Sequence, residues 1–178
     1  IRILPDNLVT RKEVEKVKTE NGLFVADKEY SKLAVIERHK SLNNIGLGIV
    51  KGFNIENGAI ASTVSHDSHN LIVIGDNDED MLLAINEIKR ANGGLTIISN
   101  GKVLATLELP IAGLMSDKPY DYVESKLKQM INIAWNIGVN RQIDPFIVLS
   151  FLALPVIPEI RVTDQGLFDV CQFRFIDV

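Results

Sequence analysis

A single cysteine and three histidines are all that this 178-residue chain holds of the thiol and imidazole side chains that most often close disulfides or ligate zinc. The lone Cys171 excludes an internal disulfide and a multi-cysteine zinc site, and it fits a reducing compartment such as the cytoplasm. It has no histidine beside it in sequence, so it reads as a half-buried strand residue rather than a nucleophile. Lysine and arginine never form a run long enough to track a phosphate backbone. With a net charge of −4, nucleic acid is not an expected partner. Neither a signal peptide nor a membrane span is visible. The most apolar run, Phe146 to Ile157, is too short to cross a bilayer and carries Ser150 and Pro155 within it, so it reads as buried core. Ser150 is not in a G-x-S-x-G elbow, and no glycine-rich phosphate cradle occurs. An initiator methionine is lacking too: the chain opens on Ile1, which suggests a piece of a larger polypeptide.

What is present is ordinary globular material, 46% hydrophobic and 24% charged, with ample apolar residues for one core. Lys32 to Arg38, Leu47 to Phe53, Ala59 to Val64 and Leu71 to Gly75 read as strands, the first two joined by the turn Asn43-Asn44-Ile45-Gly46. Asp76 to Asp80 opens a helix whose acids oppose the macrodipole. Met81, Leu82, Ile85 and Ile88 form its stripe, and Asn92-Gly93-Gly94 ends it. Leu95 to Ile98 and Lys102 to Ala105 flank Asn100-Gly101, the signature of a type I′ hairpin. A second helix starts at Pro119, with a stripe of Val123, Leu127, Met130, Ile131 and Ala134, and stops at Gly138. Trp135 on this helix is most simply packing. Asp144-Pro145 breaks the chain before the apolar run, and Ile160 to Val162 with Leu167 to Val170 make a last hairpin around Thr163 to Gly166. Arg11 to Glu20 is either a short helix or an exposed strand. Strands in adjacent pairs with two clear helices between them predict an α+β domain, a mostly antiparallel sheet of hairpins covered by helices. Two helices cannot clothe a (β/α) barrel, so no catalytic barrel is expected in this chain.

The chemistry is concentrated between Gly58 and Asp80, GAIASTVSHDSHNLIVIGDNDED. Two apolar strands flank the pentad His66-Asp67-Ser68-His69-Asn70, placing two of the three histidines beside a carboxylate, a hydroxyl and an amide. Such side chains ligate metals, move protons, or read the hydrogen-bonding edge of a polar ligand. They also build well-bonded turns, with side chains closing on their own backbone. On a hairpin loop the H-x-x-H spacing carries less meaning than on a helix, and no second carboxylate is tied to it by sequence. Glu37-Arg38-His39 ends a strand, where a charged triplet is usually a solvated edge; the functional alternative places it beside the pentad. Ser116-Asp117 reads as helix capping.

Several segments taken together resemble a known family. ERH at 37–39, GFNIENGAIASTVSHDSHNLIVIGDNDEDM at 52–81, LPIAGLMSD at 109–117 and DPFIVLSFLALPVIPEIRVTDQGLFDV at 144–170 are similar, in order and spacing, to the C-terminal domain of bacterial adenine deaminases. Residues 31–178 carry the resemblance, and residues 1–30 are expected to be a linker or N-terminal extension. The resemblance implies an amidohydrolase-type enzyme, a hydrolase of adenine catabolism and purine salvage that converts adenine to hypoxanthine and ammonia. It implies a divalent metal, manganese or iron, held in a separate barrel domain, and a homo-oligomeric assembly in the cytoplasm. The barrel's H-x-H motif is absent here, since His66 and His69 are separated by two residues. No catalytic or metal residue of the barrel carries over onto this chain. His66, Asp67, His69 and Asn70 are left as candidates for a loop that closes or lines the purine pocket, touching substrate or orienting a catalytic group. The alternatives are a structural or oligomerisation module, with Phe146 to Ile157 as contact surface if exposed, and an autonomous metallohydrolase.

Overall fold

The computed structural model describes residues 1–176. The chain begins with two short strands, β1 (Arg2–Ile3) and β2 (Thr10–Arg11), and a small hairpin of β3 (Thr19–Glu20) and β4 (Leu23–Phe24). There follow β5 (Tyr30–Ile36), β6 (Ile45–Lys51), β7 (Gly58–Ser62), β8 (Leu71–Gly75), α1 (Asp78–Arg90), β9 (Gly94–Ser99) and β10 (Lys102–Glu108). The remainder is α2 (Tyr120–Asn136), α3 (Pro145–Phe151), β11 (Ile160–Thr163), β12 (Gly166–Asp169) and β13 (Arg174–Phe175). Eight strands form one sheet in the order β10-β9-β7-β8-β5-β6-β1-β2, in which only the β1–β6 pair is parallel. β11, β12 and β13 form a separate antiparallel sheet. This is the α+β fold expected, without a barrel.

β7 (GAIAS), β8 (LIVIG) and β9 (GLTIIS) are buried at every residue, because the sheet is covered on both faces. Side chains alternate between those faces. Ala59, Ala61 and Val73 meet Met81, Ala84 and Ile88 of α1, and the small alanines bring that helix close. Ile60, Ile72, Ile74 and Ile97 enter the larger core with Met130 and Ala134 of α2 and Phe146 and Leu149 of α3. Burying each such isoleucine contributes roughly 1.5–3 kcal/mol. On this second face the β11–β12 hairpin covers β5 and β6. The glycines of β6 make room for it: a Cβ on Gly46 would stand 1.7 Å from the Thr163 carbonyl oxygen, and one on Gly48 would stand 2.6 Å from Val162 Cγ2. Gly46, expected in a turn, is therefore a strand residue selected by close approach.

α1 begins where Asn77 Oδ1 accepts the Asp80 N–H at 2.8 Å. The buried Asp80 carboxylate in turn accepts the N–H groups of Asn100 (3.0 Å) and Gly101 (2.7 Å), which both take positive φ at the tip of the β9–β10 hairpin. One carboxylate thus fixes a helix start to a hairpin turn. Leu82, expected in the buried stripe of α1, is exposed, and Ala84 takes its place in the packing.

Other expectations need correction. Asp144-Pro145 does not merely break the chain; it starts α3, because Asp144 Oδ1 accepts the N–H groups of Phe146 and Ile147 and Pro145 occupies the first turn. Ser116-Asp117 does not cap α2, whose N-cap is Pro119 without a side-chain bond; Ser116 Oγ accepts the Lys118 N–H instead. Residues 12–18 are neither helix nor strand, since their one solvent-facing apolar side chain, Val14, has no core to join while Glu13 and Glu15 pair with Lys51. Cys171 is exposed in the turn after β12, because Asp169 accepts the Gln172 N–H and bends the chain away. Trp135 does pack, half-buried against the main core. Arg161, 1% exposed, donates to the carbonyls of Ile157, Leu8 and Pro158 and is pushed down to about 10 by burial, so a guanidinium ties residue 8 to the second sheet. No helix among the described residues is long and apolar enough to cross a membrane.

Two outcomes in urea unfolding follow from this packing. Gly46→Ala forces β6 and β11 apart and should lower stability by about 3 kcal/mol. Asp80→Ala removes the acceptor of the Gly101 N–H at the exposed hairpin tip and leaves the Asn100 N–H only its bond to the Asn57 carbonyl; it should cost about 1 kcal/mol, most of it restored in Asp80→Asn if the site needs only an acceptor.

Candidate functional site

The antiparallel registers bring four chain segments to one end of the large sheet. They are the β5–β6 turn (37–44), the β7–β8 connection (63–70), the start of β9 and the segment after β10 (109–117). Thr63 fastens the last two to the second: its Oγ1 accepts the Gly94 N–H at 2.8 Å and donates to the Gly113 carbonyl at 2.6 Å. The approach is close enough that a Cβ on Gly93 would stand 2.4 Å from Gly113 Cα.

The pentad is the loop of the β7–β8 hairpin, as its flanking strands imply. His66 donates its N–H to the Ser150 carbonyl at 2.9 Å, and its ring lies 4.5 Å from that of Phe151, so the first imidazole is seated on α3. His69 takes φ +51° and turns back: its N–H donates to Ser65 O at 2.6 Å, and its Nδ1 accepts the Ser65 N–H over 3.4 Å. The two imidazoles meet edge to face with centroids 5.8 Å apart. Asp67 and Ser68 are exposed at the tip. Asn70 is only 3% exposed and Ser65 is fully buried, yet Asn70 Oδ1 and Ser65 Oγ have no hydrogen-bond partner among the described residues. Most buried side-chain polar atoms find partners, so two unpartnered ones at the base of one loop mark the place as unusual.

Burial, the neighbouring His66 and the Arg38 guanidinium, in that order, hold the His69 imidazole below its ordinary pKa. It is therefore neutral near pH 7, and its bond from the Ser65 N–H assigns the remaining proton to Nε2. His69 thus offers a ring N–H donor rather than a free lone pair. No group of three or more His, Cys, Asp or Glu side chains that could hold a metal occurs among the described residues. With Nδ1 of His69 engaged and no third ligand near, the donor set does not fit a metal ion.

Glu37-Arg38-His39 is not a solvated edge. Arg38 Nε donates to the His69 carbonyl at 2.6 Å and Nη2 to the Ala112 carbonyl at 3.0 Å. His39 Nε2 donates to the carbonyls of Ser68 (2.8 Å) and His69 (3.2 Å). Glu37 accepts the N–H groups of Leu42, Lys40 and His39, which hold its carboxyl below the usual range and shape the turn that presents Arg38 and His39. The structure therefore brings His66, Asp67, His69 and Asn70 together and adds Arg38, His39 and the 109–115 turn. The signal for the addition was the pairing of Ile36 with Leu71, which puts Glu37 to His39 beside the pentad in any antiparallel β5–β8 pair. A cavity of about 840 Å³ lies elsewhere, between the 12–24 arm and β5–β6, and no pentad residue lines it.

A family profile described as the adenine deaminase C-terminal domain matches residues 7–174. An adenine deaminase of Clostridium acetobutylicum is 53% identical over 99% of this chain, and one of Halalkalibacterium halodurans is 50% identical over 99%. An adenine deaminase 2 of Carboxydothermus hydrogenoformans is 48% identical over the whole chain. The chain spans about a third of the length of these relatives, 31–32%. With the profile covering nearly all of it, this chain belongs to the adenine deaminase C-terminal domain family.

Proposed function

We propose that this chain is the C-terminal domain of an adenine deaminase, and that its polar rim at residues 63–70 closes over or lines the purine pocket of the catalytic domain carried by the rest of the polypeptide. The reaction is hydrolytic: water adds at C6 of adenine and ammonia leaves, giving hypoxanthine. The observation that carries the reading is the rim itself. Its buried Ser65 Oγ and Asn70 Oδ1 lack partners among the described residues, and the neutral His69 offers a ring N–H beside them. Adenine presents both donors and acceptors along its edge, and a site that satisfies buried polar atoms only with ligand bound discriminates strongly for that ligand. His66, Asp67, His69 and Asn70 act here as substrate-touching or orienting groups.

A divalent metal, manganese or iron, belongs in this reading to the partner barrel domain, because the two imidazoles here lack a third ligand. No step is assigned to it on this chain. The holoenzyme is read as a homo-oligomer of the cytoplasm. One observation favours the second reading, an interaction module. α1 covers β7 to β10 but not β5 and β6, leaving Ile45 and the 67%-exposed Leu47 bare on that face. Within Phe146 to Ile157 half of the residues are buried in α3 and the turn after it, and the exposed side chains Ile147 and Val156 are what that segment offers to a contact surface.

In the full-length enzyme, His69→Ala and His66→Ala should each lower kcat/KM for adenine by about tenfold, equivalent to about 1.4 kcal/mol of transition-state stabilisation, with the melting temperature retained. Wild-type kinetics in both variants would leave the interaction module as the correct reading. The isolated chain should neither deaminate adenine nor bind stoichiometric metal by elemental analysis; turnover by the fragment would refute the division of labour.

A further inference from the structure

The ligand-facing surface is wider than the pentad. Two independent ties join the pentad segment to the turn at 109–115: the Thr63 hydroxyl to the Gly113 carbonyl at 2.6 Å, and the Arg38 guanidinium to both the His69 carbonyl (2.6 Å) and the Ala112 carbonyl (3.0 Å). The guanidinium also fills the space above Gly113, where a Cβ would stand 3.0 Å from Nη2. The turn is tight in its own right, with Ile111 and Met115 bridged backbone to backbone and Ala112 at φ +58°. It exposes two apolar side chains, Ile111 at 46% and Met115 at 58%, at the same rim as the imidazoles.

We propose that the 109–115 turn and the pentad form one two-loop recognition surface for a planar heterocycle, with Met115 supplying apolar contact to the ring face and Arg38 acting as the positioning residue that holds the loops in register. This rests on the reading of the rim as substrate-facing and names residues that reading left out. Hydrogen-bonding imidazoles and a buried amide specify the edge of a flat polar ring, but its faces are apolar and need a soft partner. An unbranched thioether side chain packs well against an aromatic face. Arg38 is suited to its place because a planar fork reaches two carbonyls at once, which a lysine ammonium on its flexible stem does not reproduce. The tie runs to main-chain carbonyls and uses no side chain of either loop, so it can hold both loops in place and spare their ordering on binding.

The test uses the full-length enzyme and adenine. Met115→Ala should raise KM about fivefold or more with kcat within twofold. Arg38→Met should raise KM at least tenfold with a smaller change in kcat, and Arg38→Lys should not restore it. A general loss of structure would instead lower kcat through loss of active enzyme and leave KM in place. Should Arg38→Met lower the melting temperature, Met115→Ala decides, because an exposed side chain contributes little to the fold. An unchanged KM in Met115→Ala overturns the two-loop surface. If His69→Ala impairs the enzyme while Met115→Ala and Arg38→Lys behave as wild type, the rim faces substrate but this inference is wrong. If His69→Ala and His66→Ala are both silent, the underlying reading has failed.

Discussion

β7, β8 and β9 are buried along their whole length, and the rest of the molecule follows from that constraint. A strand covered on both faces cannot turn its backbone to water, so each N–H and C=O must pair with a neighbouring strand. The pairings are mutually exclusive in register, because a slip of one residue would send Ile60 and Ile74 towards α1 and the small alanines into the larger core. With the register locked, the ends of β5 and β7 and the starts of β8 and β9 are forced to one edge. The loops there have no freedom to lie anywhere else.

What gathers at that edge is held largely by main-chain carbonyls. Arg38 and His39 donate to the carbonyls of Ser68, His69 and Ala112, and Thr63 to that of Gly113. Side-chain donors aimed at carbonyls fix loop geometry without consuming the side chains of the loop. The imidazoles of the pentad are left free of that task, His66 resting on Phe151 and His69 accepting from the Ser65 N–H through Nδ1. The same use of ionic groups on backbone recurs away from the rim, where Asp80 holds the β9–β10 turn and Arg161 gathers three carbonyls beneath the second sheet. A domain with one cysteine and few aromatics is stapled by charge on backbone instead of by disulfides.

On the reading proposed above, the domain completes a pocket rather than containing it, and the buried Ser65 and Asn70 oxygens that lack partners among the described residues are what a ligand held by the catalytic domain would meet. The bare apolar face of β5 and β6 lies on the other side of the sheet from α2 and α3, next to the cavity under the 12–24 arm. Recognition at the rim and contact at that face are compatible roles for one domain.

The sequence by itself determined the paired strands, both long helices, the type I′ hairpin at Asn100-Gly101 and the place of the pentad between β7 and β8. These depend on local periodicity and turn chemistry, which a linear pattern records. Gly46 escapes a linear pattern because its place depends on what lies opposite in space, the Thr163 carbonyl. Ser116, Asp144 and Asp169 instead accept amides two or three residues on, at Lys118, at Phe146 and Ile147, and at Gln172, a local competition that residue type alone does not decide. The company of the pentad, like the place of Gly46, was decided by what lies opposite. Arg38 lies 31 residues from His69 in sequence, and Ala112 lies 74 residues from Arg38. The antiparallel register of β5 against β8 puts the guanidinium beside the His69 carbonyl, and the pairings from β8 through β7 and β9 to β10 bring the Ala112 carbonyl within its reach. Side-chain identity sets what a loop can bond to; the sheet alone sets what it meets.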